Sequence, residues 1–210
     1  MRLLQIDESN RDQHTRLTAE DQCLHIYEYT SGQNFAFSDT NNLINNLKKK
    51  PSSSEAQLRY KRSAIASCAS DFAKALNEKW LQVATLVPVP PSKALGHPDF
   101  DNRMEQVARL IRPGQDVRNL VVQRESTIAA HEAAPGERVT VEQLLDLYTI
   151  DERLAEPLPS VIGILDDVLT AGTHYRAMQI VLQRRFPKAQ IIGLFVARRV
   201  FSNPFEMAHD

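Results

Sequence analysis

Residues 161–174 constrain this chain more than any other stretch. Val161-Ile162-Gly163-Ile164-Leu165 is followed by Asp166-Asp167, and then by Val168-Leu169-Thr170-Ala171-Gly172-Thr173-His174. The apolar run reads as a buried β-strand that delivers two carboxylates to its end, and the small and hydroxylated residues after it open a helix. In an open parallel sheet, ligands gather at the carboxyl ends of strands, so the acids stand where a site is expected. Small residues let backbone N–H groups close around an anion, the helix N-terminus adds favourable partial charge, and Thr170 and Thr173 bring hydroxyls. Carboxylates do not bind phosphate. They suit sugar hydroxyls, or a divalent cation carried by those hydroxyls, beside it. Acids for a diol next to a cradle for an anion describe a ribose 5-phosphate pocket. The plainer alternative is an ordinary strand–turn–helix with two solvated acids.

Around this segment the patterns of strand and helix alternate. Residues 24–29 alternate as a half-buried strand, 30–33 turn around Gly32, and 34–37 return as a second strand of a hairpin. Ser38 or Asp39 caps a helix carrying Leu43, Ile44 and Leu47, which ends in Lys48-Lys49-Lys50 before Pro51. A long helix is predicted over 55–79, with Ile65, Cys68, Phe72 and Leu76 on one face. Strands follow at 83–87, 117–122, 161–165 and 191–196. Helices follow at 101–111, from Thr140 (a Thr140-x-x-Gln143 capping box) and at 174–185. Residues 1–20 read as a loose lead-in and 123–139 as a mobile loop. The predicted fold class is α/β, a mostly parallel central sheet flanked by helices. An N-terminal β-hairpin and helix appendage (residues 1–80) packs on a core over 81–210, all in one compact unit.

Composition narrows the function classes. With 25 Lys+Arg against 26 Asp+Glu, no global charge draws the chain to nucleic acid. Two cysteines, Cys23 and Cys68, lack CxxC spacing, which excludes a zinc ribbon and a disulfide framework and fits two reduced, buried thiols. Neither a signal-peptide pattern nor a membrane-length apolar run is present, so the expected location is the cytoplasm. His14, His25, His97 and His209 share no ligand spacing and are assigned no metal. Asp99, Asp101 and Arg103 either reach the site or form a helix cap with a surface pair. His131 and Glu132 read as solvated loop residues, with an acid or base role the alternative, the lysine run as a solvated helix end, with nucleic-acid contact the alternative, and Trp80 as packing. Gly163 is expected to mark close packing.

The run from Ile164 through Thr173 resembles the PRPP-binding motif of type I phosphoribosyltransferases. His174 departs from the family's usual Thr, Ser or Ala, losing a hydroxyl contact, while as a cation it would still meet a phosphate. A second segment, Val87-Pro88-Val89-Pro90-Pro91-Ser92-Lys93, resembles the pyrophosphate loop of the same fold, in the version carried by ComF-type phosphoribosyltransferase-like proteins; a rigid proline turn is the alternative. Tyr29, Gly32, Leu43, Ile44 and Lys48 stand at spacings similar to those relatives, and Gln123-Arg124-Glu125-Ser126-Thr127 with Arg138 loosely resembles their covering loop. Their four-cysteine zinc module is not found here.

The resemblance implies a phosphoribosyltransferase-like fold that binds PRPP or a nucleoside monophosphate with Mg²⁺. Asp166 and Asp167 would be the catalytic acids, holding the ribose hydroxyls and, through them or water, the metal. Thr170, Ala171, Gly172, Thr173 and His174 would hold the 5-phosphate, Pro91, Ser92 and Lys93 the pyrophosphate, and Arg124 would cover it. Purine salvage is disfavoured, because those relatives place an acid where Thr170 stands. The acceptor is not identified. A non-catalytic PRPP or nucleotide sensor and a ComF-like role on single-stranded DNA are the competing readings, and a homodimer follows by analogy only.

Overall fold

The computed structural model describes residues 1–126 and 139–202. In chain order the elements are β1 (Leu4–Gln5), β2 (Cys23–Ser31), α1 (Asp39–Leu47), α2 (Glu55–Ala75), α3 (Glu78–Val83), β3 (Ala84–Pro88), α4 (Arg103–Ile111), β4 (Val121–Gln123), α5 (Val141–Leu147), β5 (Tyr148–Ile150), β6 (Val161–Leu169), α6 (Thr173–Arg185) and β7 (Gln190–Phe201). Five strands form one mixed sheet in the order β1-β2-β7-β6-β3, in which only β1 runs antiparallel to its neighbour. β4 and β5 make a separate antiparallel ribbon. The chain is thus an α/β protein with a mostly parallel sheet flanked by helices.

β6 lies between β7 and β3, so its apolar run is covered on both faces. Successive side chains of a strand leave on opposite faces. Leu165 therefore joins a core with α1, α2 and α4, in which Leu47, Phe72 and Val107 are fully buried. Ile162 and Ile164 join the opposite core with α5, α6 and the β4–β5 ribbon, around Leu144, Tyr175 and Leu182. Gly163 is the close-packing position expected of it: a Cβ there would stand 2.9 Å from Leu86 Cδ2 and 2.9 Å from Trp80 Cη2.

Several boundaries differ from expectation for identifiable reasons. The predicted hairpin does not form. β2 is a strand of the main sheet with β1 on one edge and parallel β7 on the other, which leaves no edge for residues 34–37. Those residues turn instead, with the Asn34 side chain accepting from the Ala36 N–H at 2.8 Å and with Phe35 and Phe37 exposed. The long helix stops at Ala75 because Asn77 caps a new one, its Oδ1 accepting from the N–H groups of Lys79 and Trp80. The stretch at 117–122 contributes a single bridge, Val117 to Leu86, before β4 begins. β6 and β7 run past their apolar cores to Leu169 and Phe201, because pairing to each other and to β2 holds even Asp166 and Arg198 extended. Both expected capping signals are in place, Ser38 at α1 and the Thr140–Gln143 box at α5. The cysteines are free and buried, and burial pushes both thiols up to about 12.

Candidate functional site

Parallel strands end on the same side, and there the carboxyl ends of β2, β3, β6 and β7 open on a cleft of about 910 Å³. Asp166, Asp167, Thr170, Ala171, Thr173 and His174 line it, as do Pro91, Ser92 and Lys93 on the loop after β3. The two segments singled out from sequence thus meet in one place. Arg124 does not join them: its side chain is exposed and its Nη2 donates to Thr149 Oγ1 on the ribbon at 3.4 Å. Thr127, His131, Glu132, Arg138 and His209 lie outside the described residues.

The two acids, adjacent in sequence, have different surroundings. Asp167 is 4% exposed and turns toward α1 and α4. Lys48 Nζ lies 3.0 Å from its Oδ1, and Arg103 Nε donates to its Oδ2 at 3.0 Å. Burial disfavours its charge, but the two cations outweigh burial and hold the carboxyl far below its ordinary range. Arg103 also donates to Asp101 Oδ2 at 2.8 Å, and Lys61 to the same atom at 2.6 Å. The result is a chain of alternating charges, Lys48–Asp167–Arg103–Asp101–Lys61. Asp166 has none of these partners. Its Oδ1 accepts the Asp167 N–H at 2.8 Å, and it keeps partial exposure to the cleft. Burial, reinforced by the charge of Asp167, pushes its carboxyl above the usual range.

The loop between β6 and α6 is held from behind by the N-terminal segment. His14, fully buried, donates from Nδ1 to the carbonyl of Thr170, and the Arg16 N–H donates to the carbonyl of Ala171 at 2.9 Å. In a trans peptide the C=O and the following N–H point opposite ways, so the N–H groups of Ala171 and Gly172 turn away from that segment. Gly172 takes φ +90°, and a Cβ there would stand 3.1 Å from Leu17 Cδ2, which explains why glycine ends the loop. Arg176 on α6 adds a hydrogen bond to the Arg16 carbonyl at 3.0 Å and an ion pair with Asp21. Residues 1–20, read as a loose lead-in, are a structural part of the site.

Other readings change in the same way. The lysine run is more than a solvated helix end: Lys48, Lys49 and Lys50 all line the cleft, and Lys48 pairs with Asp167, while Lys50 is exposed. Arg103 reaches Asp167, as the first reading of it expected; the helix-cap and surface-pair reading does not hold, because Asn102 stands at the N-cap of α4 without a side-chain cap hydrogen bond and the Arg103–Asp101 pair is largely buried. Sequence reasoning passed over Tyr148, whose Oη lies 2.9 Å from His174 Nδ1, and it placed Gln123 only in a covering loop, whereas the Gln123 Nε2 donates to the Ser92 carbonyl at 3.0 Å. The lysine run before Pro51 signalled a cluster of charge but not its direction; Tyr148 gave no signal beyond its apolar context. Among the described residues no group of three or more His, Cys, Asp or Glu side chains is placed to hold a metal, and no helix is long and apolar enough to cross a membrane.

Neither a scan against protein-family models nor a search of curated proteins finds a match to this chain.

Proposed function

We propose that this chain is a phosphoribosyltransferase-like protein that binds PRPP in the cleft at the carboxyl ends of β2, β3, β6 and β7 and transfers its phosphoribosyl group to an acceptor. One observation carries the reading: an accessible carboxylate, Asp166, stands beside a loop backed so that its N–H groups face away from the chain behind it. Asp166 would accept from the ribose hydroxyls, residues 170–174 would take the 5-phosphate, and Pro91, Ser92 and Lys93 the pyrophosphate. A nucleophile's lone pair would form the new bond at C1 as the C1–O bond to pyrophosphate breaks, with the acceptor's proton passing to solvent. Positioning and charge stabilisation supply the catalysis for such a step.

Mg²⁺, which neutralises the diphosphate when bound, fits here as a cation that arrives on the ligand. Asp166 has an oxygen left to meet a metal-bound water or hydroxyl, while both oxygens of Asp167 are engaged by Lys48 and Arg103. That engagement supports a second reading, a PRPP or nucleotide sensor without transfer, because one of the two acids is closed to ligand. For single-stranded DNA the cleft, as lined by the described residues, offers both signs of charge rather than a uniformly basic surface.

Titration calorimetry with ribose 5-phosphate and with Mg-PRPP tests binding, and pyrophosphate release over a panel of bases and amines tests transfer. Binding of both without release supports the sensor. Binding of neither sinks the proposal.

A further inference from the structure

We propose that Tyr148 is a positioning residue that fixes His174 as a neutral imidazole with its proton on Nε2, so that His174 acts as an N–H donor to the ligand's phosphate. The inference rests on the function proposed above and names how one position of that site works.

Tyr148 opens β5 and is 5% exposed. Its Oη lies 2.9 Å from His174 Nδ1, its one hydrogen-bond partner among the described residues. A phenol has a single proton and can donate or accept. If His174 carried a proton on Nδ1, the phenol would have to accept it, and its own O–H would then be buried without an acceptor, a costly state. The phenol therefore donates and Nδ1 accepts. A neutral imidazole has one N–H, and it falls on Nε2. His174 lines the cleft beside Thr170 and Thr173, and its Nε2 has no hydrogen-bond partner among the described residues.

Charge reinforces this geometry. His174 lies in the first turn of α6, where the helix end disfavours a cation. Burial pushes its imidazole down to about 4, so the ring is neutral at physiological pH. Where a hydroxyl is expected beside the phosphate, this chain supplies a neutral ring N–H.

The strand that holds Tyr148 is itself tied to the other end of the site. Tyr148 and Gln123 are cross-strand partners in the β4–β5 ribbon, so their side chains share a face. Gln123 bonds to the Ser92 carbonyl on the proline loop while Tyr148 bonds to His174. One residue pair braces both loops of the cleft, which makes Tyr148 a fixed reference for the imidazole.

Nitrogen NMR of the full chain, labelled at histidine, reads the tautomer directly, with His174→Gln as the assignment control. The expected signature for His174 is Nε2–H, with a second tautomer appearing in Tyr148→Phe. Ribose 5-phosphate affinity is expected to fall about five-fold in Tyr148→Phe, the scale of one neutral hydrogen bond. His174→Gln, which keeps an amide N–H near the Nε2 position, should retain more affinity than His174→Ala. An Nδ1–H signature in the parent, or unchanged affinity in Tyr148→Phe, overturns this inference while leaving the proposed function standing. A parent that binds neither ribose 5-phosphate nor Mg-PRPP overturns both the function and the donor role, whichever tautomer it shows.

Discussion

On the face of the sheet covered by α1, α2 and α4, charged side chains are closed on one another: Lys48, Asp167, Arg103, Asp101 and Lys61 form an unbroken alternation. On the other face, beside α5, α6 and the ribbon, the polar groups at the cleft keep capacity in reserve. Among the described residues Asp166 has a single hydrogen bond, from a backbone N–H, and His174 Nε2 has no hydrogen-bond partner. The dividing line runs between two consecutive residues, because strand geometry sends neighbouring side chains to opposite sides. Removing one partner of a buried charge pair is costly to folding, because the other charge is left unpaired. On the function proposed above, the doubled aspartate is one residue held by the fold and one offered to the ligand.

Removing Asp167 breaks that comparison most sharply. Asp167→Asn leaves Lys48 and Arg103 facing each other without their shared partner, and is expected to lower unfolding free energy by about 3 kcal/mol, read as a fall in urea midpoint. If the midpoint does not move, the charge chain is not structural. Next in size is the backing of the loop between β6 and α6. His14→Ala opens a void at a fully buried position and strands the Thr170 carbonyl, for an expected loss of about 2 kcal/mol with a drop in ribose 5-phosphate affinity. Gly172→Ala forces a side chain into a left-handed conformation against Leu17, and should cost about 1–2 kcal/mol by the same measurement.

The smallest stability effect belongs to Asp166, and its sign is opposite. Its folded pKa is raised, so the folded state holds a proton more tightly than the unfolded chain. Stability from this group is therefore full below the unfolded pKa near 4 and declines as pH rises through the raised value. Asp166→Asn should flatten that decline and leave the protein at pH 7 no less stable than the parent, by about 1 kcal/mol in its favour. The same variant should lose at least ten-fold in ribose 5-phosphate affinity, as expected when a charged hydrogen-bond acceptor is neutralised. Asp167 runs the other way. Its lowered pKa gives stability that is present above pH 4 and is lost as pH falls toward its folded value. Urea titrations of the parent and both variants at pH 3–8 separate the two residues.

Much of this was legible before any coordinates. The apolar strand that carries two acids, the small-residue loop after it, the caps at Ser38 and Thr140 and the reason for Gly163 follow from local chemistry, and local chemistry is printed in the sequence. The hairpin failed because whether residues 34–37 can pair depends on which edges of β2 are already taken, and those edges belong to residues 4–5 and 190–201. The reach of Lys48 and Arg103, the grip of His14 on the loop between β6 and α6 and the meeting of Tyr148 with His174 span separations that no window of sequence contains.

The sequence by itself determined that an apolar strand would carry two carboxylates to a turn of small and hydroxylated residues, since residue type and spacing set backbone and burial over a few residues. Tertiary structure alone decided which aspartate would pair with cations and which would not. Electrostatic environment is a property of what packs nearby in space, and two side chains on opposite faces of one strand meet different halves of the molecule.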